Sequence, residues 1–302
     1  MATATSVHRT PWTRKLQRWL PGYLFSGPVI VWFFIFHLIP IIAGAVLGFY
    51  SWDILNPPKP VGLANFAAVL KDDLFWRAMI NTLYYAVVSV CLTSAVSLGL
   101  AMALNQRLGS IAAYRTMFFL PAVTAMVAVS MVWRWLYNTD YGIFNYVLSL
   151  GGIPPLNWLG EPDLAMPAVI VMSVWRSAGF NTIIFLAGLQ GIPQEYYEAS
   201  SLDGAGRWAR FRHVTLPLIS PSTFFIMVTG LINSWQVFDQ VYAMTRGGPL
   251  FATTTAVYLV YSNAFEWNKA GYASAMAYYL FIVIMLFTLA QFLFQRRWVH
   301  YN

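Results

Sequence analysis

Six stretches of the sequence are long and apolar enough to cross a bilayer, and this fixes the solvent before anything else. They run Tyr23–Tyr50, Asn81–Leu104, Arg115–Tyr137, Leu164–Gln190, Ile219–Met244 and Gly271–Phe294, and each holds 23 to 28 residues. A hydrocarbon layer of about 30 Å needs roughly 20 apolar residues in a helix. Composition agrees: 10% of the residues are charged, where a soluble globule carries about 25%. The expected fold is all-α, a polytopic membrane protein with six transmembrane helices. A basic tail at 1–22 precedes one integrated membrane domain at 23–302. Pro28, Pro40 and Pro121 fall inside spans, where neighbouring helices can satisfy the freed carbonyls, so kinked packing is expected at each.

The net charge of +7 does not point to nucleic acid, because no basic stripe interleaved with aromatics runs along a polar face. The cations sit instead at the ends of apolar runs. With a cytoplasmic amino terminus, eleven fall on that side: Arg9, Arg14, Lys15, Arg18, Arg107, Arg115, Arg207, Arg210, Arg212, Arg296 and Arg297. Only Lys59, Lys71, Arg77, Arg246 and Lys269 fall on the other. The bias places both termini in the cytoplasm. The amino terminus does not read as a cleavable signal, since the apolar run after it is too long. Loops at 51–80, 138–163 and 246–270 then face outward, and their Pro, Gly and Trp content reads as ordered surface. Cys91, the one cysteine, is expected to pack inside the protein.

One segment breaks the apolar pattern. EYYEASSLDGAGRWARFRHVTLP, at 195–217, gathers Glu195, Glu198, Asp203, Arg207, Arg210 and Arg212. Pro193 suits a first helical turn, and the acids that follow suit the positive end of the helix dipole. Gly204 can close the helix in the left-handed conformation. A second short helix, RWARFRH, should follow and stop at Pro217. An acidic first helix is poorly suited to anionic lipid, so docking into a protein groove competes evenly with an ordinary solvated loop.

The residues Glu198-Ala199-Ser200, Asp203-Gly204-Ala205, Phe211, Val214 and Leu216-Pro217 resemble the EAA loop of permease subunits in binding-protein-dependent ABC importers. The pattern departs mildly, with Ser200 in place of a second alanine. RTMFFLPAV, VWRWLYNTDYGIFN, MTRGGP and AGYASAMAYYL are similar to the carbohydrate-uptake branch, which includes permeases for disaccharides, oligosaccharides and glycerol-phosphate. The resemblance implies a type I importer permease fold in a bacterial or archaeal inner membrane, with the coupling loop at 191–218. It implies a second homologous permease subunit, two ABC ATPase subunits that hold ATP and Mg2+, an extracytoplasmic substrate-binding protein and a sugar substrate. It also assigns Glu198, Ala199, Ser200, Asp203, Gly204 and Ala205 as the ATPase-coupling set. No cofactor is expected in this chain, which lacks G-x-x-x-x-G-K-[ST], H-E-x-x-H and G-x-S-x-G, so an enzyme is not expected.

Polar groups inside spans are pathway candidates, weighed against interhelical hydrogen bonding. Asn233, Trp235, Gln236 and Asp239 on the fifth span, with Trp175, Arg176 and Asn181 on the fourth, supply planar polar groups and aromatic faces suited to a sugar. The similar depths of Arg134 and Asp239 make a structural ion pair the expectation. For Arg176 three roles stay open: a carboxylate in a partner subunit, capping of carbonyls, or an anionic substrate. Rival classes are an ion-coupled carrier, for which Asp239 is thin support, and a membrane-embedded enzyme, for which no reactive constellation exists.

Overall fold

The computed structural model describes residues 12–106 and 111–299 of the 302-residue chain. Residues 1–11 of the basic tail, and Arg107, lie outside the described residues. The first helix, α1 (Trp12–Phe33), passes through one π turn (Phe34–Leu38) into α2 (Ile39–Leu47). Pro40 accounts for the turn. Proline brings no N–H to the carbonyl four residues back, here Phe36, and its ring crowds that carbonyl, so a single wider turn relieves the clash. A short antiparallel pair follows, β1 (Tyr50–Ser51) and β2 (Lys59–Pro60), with Tyr50 opposite Pro60.

After α3 (Ala64–Leu70) comes α4 (Asp73–Leu104). It starts eight residues ahead of the apolar run because Asp72 caps it, accepting from the Leu74 and Phe75 amides at 2.8 and 3.4 Å. The third expected span is not one helix. Instead α5 (Ile111–Val123) and α6 (Met126–Leu136) meet at a 98° bend. Pro121 sits inside α5, and the break comes two residues beyond it. The outer loop at 138–163 carries α7 (Ile143–Leu150). It is stapled by Asn145, whose amide donates to Thr139 and Leu156 carbonyls and accepts from the Trp158 indole at 2.9 Å.

The long helix α8 (Pro162–Gln190) leads to α9 (Gln194–Leu202), and α10 (Arg207–Arg210) follows a turn. Pro217 does not stop the second of these short helices. A π turn at Phe211–Thr215 carries the chain through it into α11 (Leu216–Leu218), by the same relief as at Pro40. A 63° bend then opens α12 (Ser220–Trp235). The fifth expected span also ends early: Gln236–Phe238 leave the helix before α13 (Asp239–Met244). Finally α14 (Ala256–Tyr261), a π turn and α15 (Ala270–Gln295) complete the chain.

Among the described residues, four helical stretches are long and apolar enough to cross a bilayer: Trp19–Leu47, Asp73–Leu104, Pro162–Gln190 and Ala270–Gln295. The number rises to six if each bent pair counts as one span. Half of the apolar stretch of α8 is buried, against a third of that of α4, so α8 is the central post. Small residues let the two close up: Ser97 Oγ donates to the Ala178 carbonyl at 3.0 Å, and Thr182 Oγ1 to the Ser97 carbonyl at 3.4 Å. None of the Trp19–Leu47 stretch is buried, and it meets α15 where Tyr278 Oη donates to the Ile41 carbonyl at 2.7 Å. Cys91, expected inside, is exposed on α4. The face of α4 turned to α8 and α12 carries Ser89, Val90 and Thr93 instead, and Cys91 is rotated away from it.

Gly179 is where α5 and α8 come closest: a Cβ there would collide with the Phe118 carbonyl. Gly179→Val should therefore push α5 off α8 and destabilise the protein by about 1–3 kcal/mol. The measurement is the thermal midpoint of the purified protein in detergent. An unchanged midpoint would mean that α5 yields freely.

Candidate functional site

Two features stand out from the packed helices, a cleft among them and an elbow beyond them. The cleft has two lobes, of about 630 and 330 Å3. Tyr85, Ser173, Arg176, Ser177, Asn233 and Ser234 line both. The large lobe is walled by α4, α8 and α12, with Phe119 and Ala122 of α5 at one side. The small lobe adds Met126, Gln236 and Phe238 of the unwound stretch after α12, and Asp239 and Gln240 at the start of α13.

Of the seven pathway candidates, Arg176, Asn181, Asn233, Gln236 and Asp239 line this cleft. Trp175 and Trp235 do not. Trp235 is 2% exposed and packs on Phe287 at 5.2 Å, in the core beside Met276. Trp175 packs on Trp133 at 5.5 Å. The reason is helical phase. Successive residues turn by about 100°, so Trp235 points away from Asn233, and Trp175 away from Ser177. The aromatic faces in the cleft come from Tyr85, Phe119, Phe180, Phe225 and Phe238. Sequence reasoning missed the α4 wall, although its signal was present: Tyr85, Ser89 and Thr93 recur every four residues and all are buried, which puts them on one face.

Hydrogen bonds fix the walls. Gln240 Nε2 donates to Tyr85 Oη at 2.7 Å and to Ser173 Oγ at 3.5 Å, tying α13 to α4 and α8. Ser89 Oγ and Ser234 Oγ are 3.4 Å apart across α4 and α12. The unwound stretch is held by Thr255, whose hydroxyl donates to the Val237 carbonyl at 3.0 Å. Arg176 takes the second of its three open roles: Nη2 donates to the Ala122 and Thr124 carbonyls at 3.3 and 3.2 Å. The expected Arg134–Asp239 pair does not form. Although α6 and α13 pack together, both side chains are exposed, Asp239 towards the cleft, and neither has an ion-pair partner among the described residues.

The elbow spans α9 to α11. Gly204, at φ +78°, closes α9 with paired hydrogen bonds, Ala205 N to Ser200 O at 2.9 Å and Gly204 N to Ser201 O at 3.1 Å. This is the left-handed helix ending that glycine permits without strain. The two arms are pinned by Arg210 Nη1 donating to Ser201 Oγ at 3.2 Å and by Tyr197 Oη 3.1 Å from Thr215 Oγ1. Glu198, Ala199, Asp203 and Gly204 are exposed, while Ser200 and Ala205 are half-buried. Leu202 is 90% and Trp208 70% exposed. Among the described residues Glu198 has no side-chain partner.

A bundle of apolar helices around a cleft of mixed polar and apolar lining, with an exposed elbow between α8 and α12, fits a membrane-embedded transport component. The chain belongs to the family described as binding-protein-dependent transport system inner membrane component, whose model matches residues 95–300. It is 35% identical to the trehalose/maltose transport system permease protein MalF of Thermococcus litoralis, over 89% of this chain and 91% of that one. It is 34% identical to the lactose transport system permease protein LacF of Rhizobium radiobacter, over 90% and 92%. The fold matches a chain of the bacterial alginate ABC transporter, crystallised in complex with an alginate pentasaccharide-bound periplasmic protein. That match has a TM-score of 0.83 at 24% identity and covers 95% of this chain and 98% of that one. The chain is thus an inner-membrane permease component of an ABC transporter.

The Gln240–Tyr85 bond gives a direct check on the cleft. Gln240→Leu leaves the buried Tyr85 hydroxyl without its donor and should cost about 1–3 kcal/mol in thermal unfolding. Adding Tyr85→Phe should recover part of that loss, since the orphaned hydroxyl goes too. Strict additivity of the two changes would deny the bond.

Proposed function

We propose that this chain forms half of the translocation pathway of an ATP-driven ABC importer for sugars. Six spans cross the membrane, with the bent pair α5–α6 serving as the third and α12 as the core of the fifth, and both termini lie in the cytoplasm. The elbow then falls on the cytoplasmic side with Arg207, Arg210 and Arg212, in keeping with the positive-inside bias. A second homologous permease completes the pathway. Two ATPase subunits bind ATP and Mg2+, and an extracytoplasmic binding protein delivers the solute. The names of the trehalose/maltose and lactose permeases support the substrate class.

Connectivity carries this reading. The elbow joins α8 to α12, and these two helices bring Asn181 and Asn233 to the cleft. A pull on the elbow is therefore a pull on two walls of the pathway. Glu198 pairs with a basic group of the ATPase, Ala199 lets its surface approach, and Ser200, Asp203, Gly204 and Ala205 complete the contact. Leu202 and Trp208 add apolar anchors. ATP binding closes the ATPases, draws the elbow inward and rocks the spans between outward-open and inward-open states. In the cleft Asn181, Asn233, Gln236 and Asp239 hold hydroxyls, while Phe119, Phe180 and Phe225 offer faces to sugar C–H surfaces.

A second reading keeps the machinery and changes the cargo to glycerol-phosphate or another polyol. What favours it is Arg176, a cation in both lobes. Reconstituted complex assayed with maltose, trehalose, lactose and glycerol-3-phosphate separates the two. Saturable uptake of a neutral sugar supports the first reading, and uptake of the phosphate ester alone overturns it. Asn233→Ala should raise KM for the transported sugar about tenfold, the equivalent of one good hydrogen bond. An unmoved KM would remove Asn233 from the pathway. Glu198→Arg should abolish transport-coupled ATP hydrolysis in proteoliposomes, and full coupling would refute the docking role.

A further inference from the structure

The bend between α5 and α6 falls at Thr124-Ala125. A helix that ends inside hydrocarbon leaves its last carbonyls without amide donors, and the surroundings must supply them. Here the supply is specific. The Leu120 carbonyl accepts from Thr124 Oγ1 at 3.2 Å, and the Pro121 carbonyl from the Thr124 amide at 3.3 Å. The Ala122 and Thr124 carbonyls both take their hydrogen from one atom, Arg176 Nη2. A single guanidinium nitrogen on α8 thus serves the last turn of α5 and the first step beyond it.

Three further observations bear on the same spot. Arg176 Nε is buried with no hydrogen-bond partner, so the side chain accepts an unfavourable burial to reach those carbonyls. One turn on, Gly179 lets the Phe118 backbone lie directly on α8. Arg176 lines both lobes, and Met126, the first residue of α6, lines the small one. The side wall of the cleft is therefore a bent helix, and the bend is tied by one side chain to the adjoining wall, α8.

We infer that Arg176 is a positioning residue: it clamps the break at 124–125 to α8 and so sets the shape of the pathway, rather than gripping the transported molecule. The inference rests on the proposal that the cleft is the pathway. The planar guanidinium can present hydrogens to two carbonyls from one nitrogen while its stem stays packed. An ammonium in its place keeps the charge but not the fork. The role should therefore be graded, with lysine partly effective and glutamine or methionine not.

The experiment uses the assembled transporter in nanodiscs with Cys91→Ser, which removes the chain's one cysteine, and partner subunits free of reactive cysteine. Spin labels go on Met117→Cys and Met131→Cys, exposed on the two arms of the bend. Double electron–electron resonance should give one narrow distance with Arg176, a broad or longer distribution with Arg176→Gln, and an intermediate one with Arg176→Lys. In uptake of the sugar identified by the panel above, Arg176→Gln should cut the maximal rate about tenfold or more at nearly constant KM, and Arg176→Lys should restore part of it. Two results overturn the inference: an unchanged distance distribution in Arg176→Gln, or a KM raised about tenfold at constant maximal rate, which marks a substrate contact. Asn233→Ala, run in parallel, reports on the cleft as pathway by itself, and the distance measurement judges the clamp whatever that control shows.

Discussion

Backbone N–H and C=O groups find no water in hydrocarbon, and every departure from helix within an apolar span has to meet that requirement. The protein departs from helix often. At Pro40 and Pro217 a π turn absorbs the missing amide. At the α5–α6 break, Thr124 and Arg176 supply donors. At the end of α12, Thr255 donates to the Val237 carbonyl. These devices allow irregular backbone at the side of the cleft, and with it Gln236, Phe238 and Asp239, which a continuous helix would not present together.

The same requirement shapes the elbow differently. There the chain has left the apolar spans, the charges return, and the glycine-closed turn at Gly204 holds α9 at a fixed angle to the chain that follows. Rigidity matters for a lever. The Ser201–Arg210 and Tyr197–Thr215 bonds keep the two arms together, and under the proposed coupling role a displacement of the elbow would pass to α8 and α12. The acidic and apolar side chains that remain uncovered, Glu198, Leu202 and Trp208, match a protein surface better than lipid.

Much of this was legible in the sequence, because hydrophobic length and local capping are local properties. The fourth and sixth spans match α8 and α15 to within two residues at each end, and Asp203-Gly204 ends its helix as expected. What failed did so where neighbours decide. Pro121 announced a disturbance in span three, but the carbonyls at the 98° turn are met by Arg176, 54 and 52 residues away in the chain. The fifth run carries the polar residues Asn233, Ser234, Gln236, Asp239 and Gln240, but their presence alone does not mark an unwinding at Gln236, which rests on Thr255 from outside the run and on the Gln240–Tyr85 bond. The two tryptophans were placed in the pathway by residue type alone. Helical phase, applied residue by residue, would have removed them and brought in Tyr85, Ser89 and Thr93.

The central claim is that the elbow is held from the cytoplasmic side by a separate ATPase. Ala199→Cys in a Cys91→Ser chain tests it directly, through labelling by a membrane-impermeant maleimide in right-side-out and inside-out vesicles. The account predicts labelling only in inside-out vesicles, and protection once the ATPase subunits are bound. Labelling from the outer face, or equal labelling with and without those subunits, would contradict it.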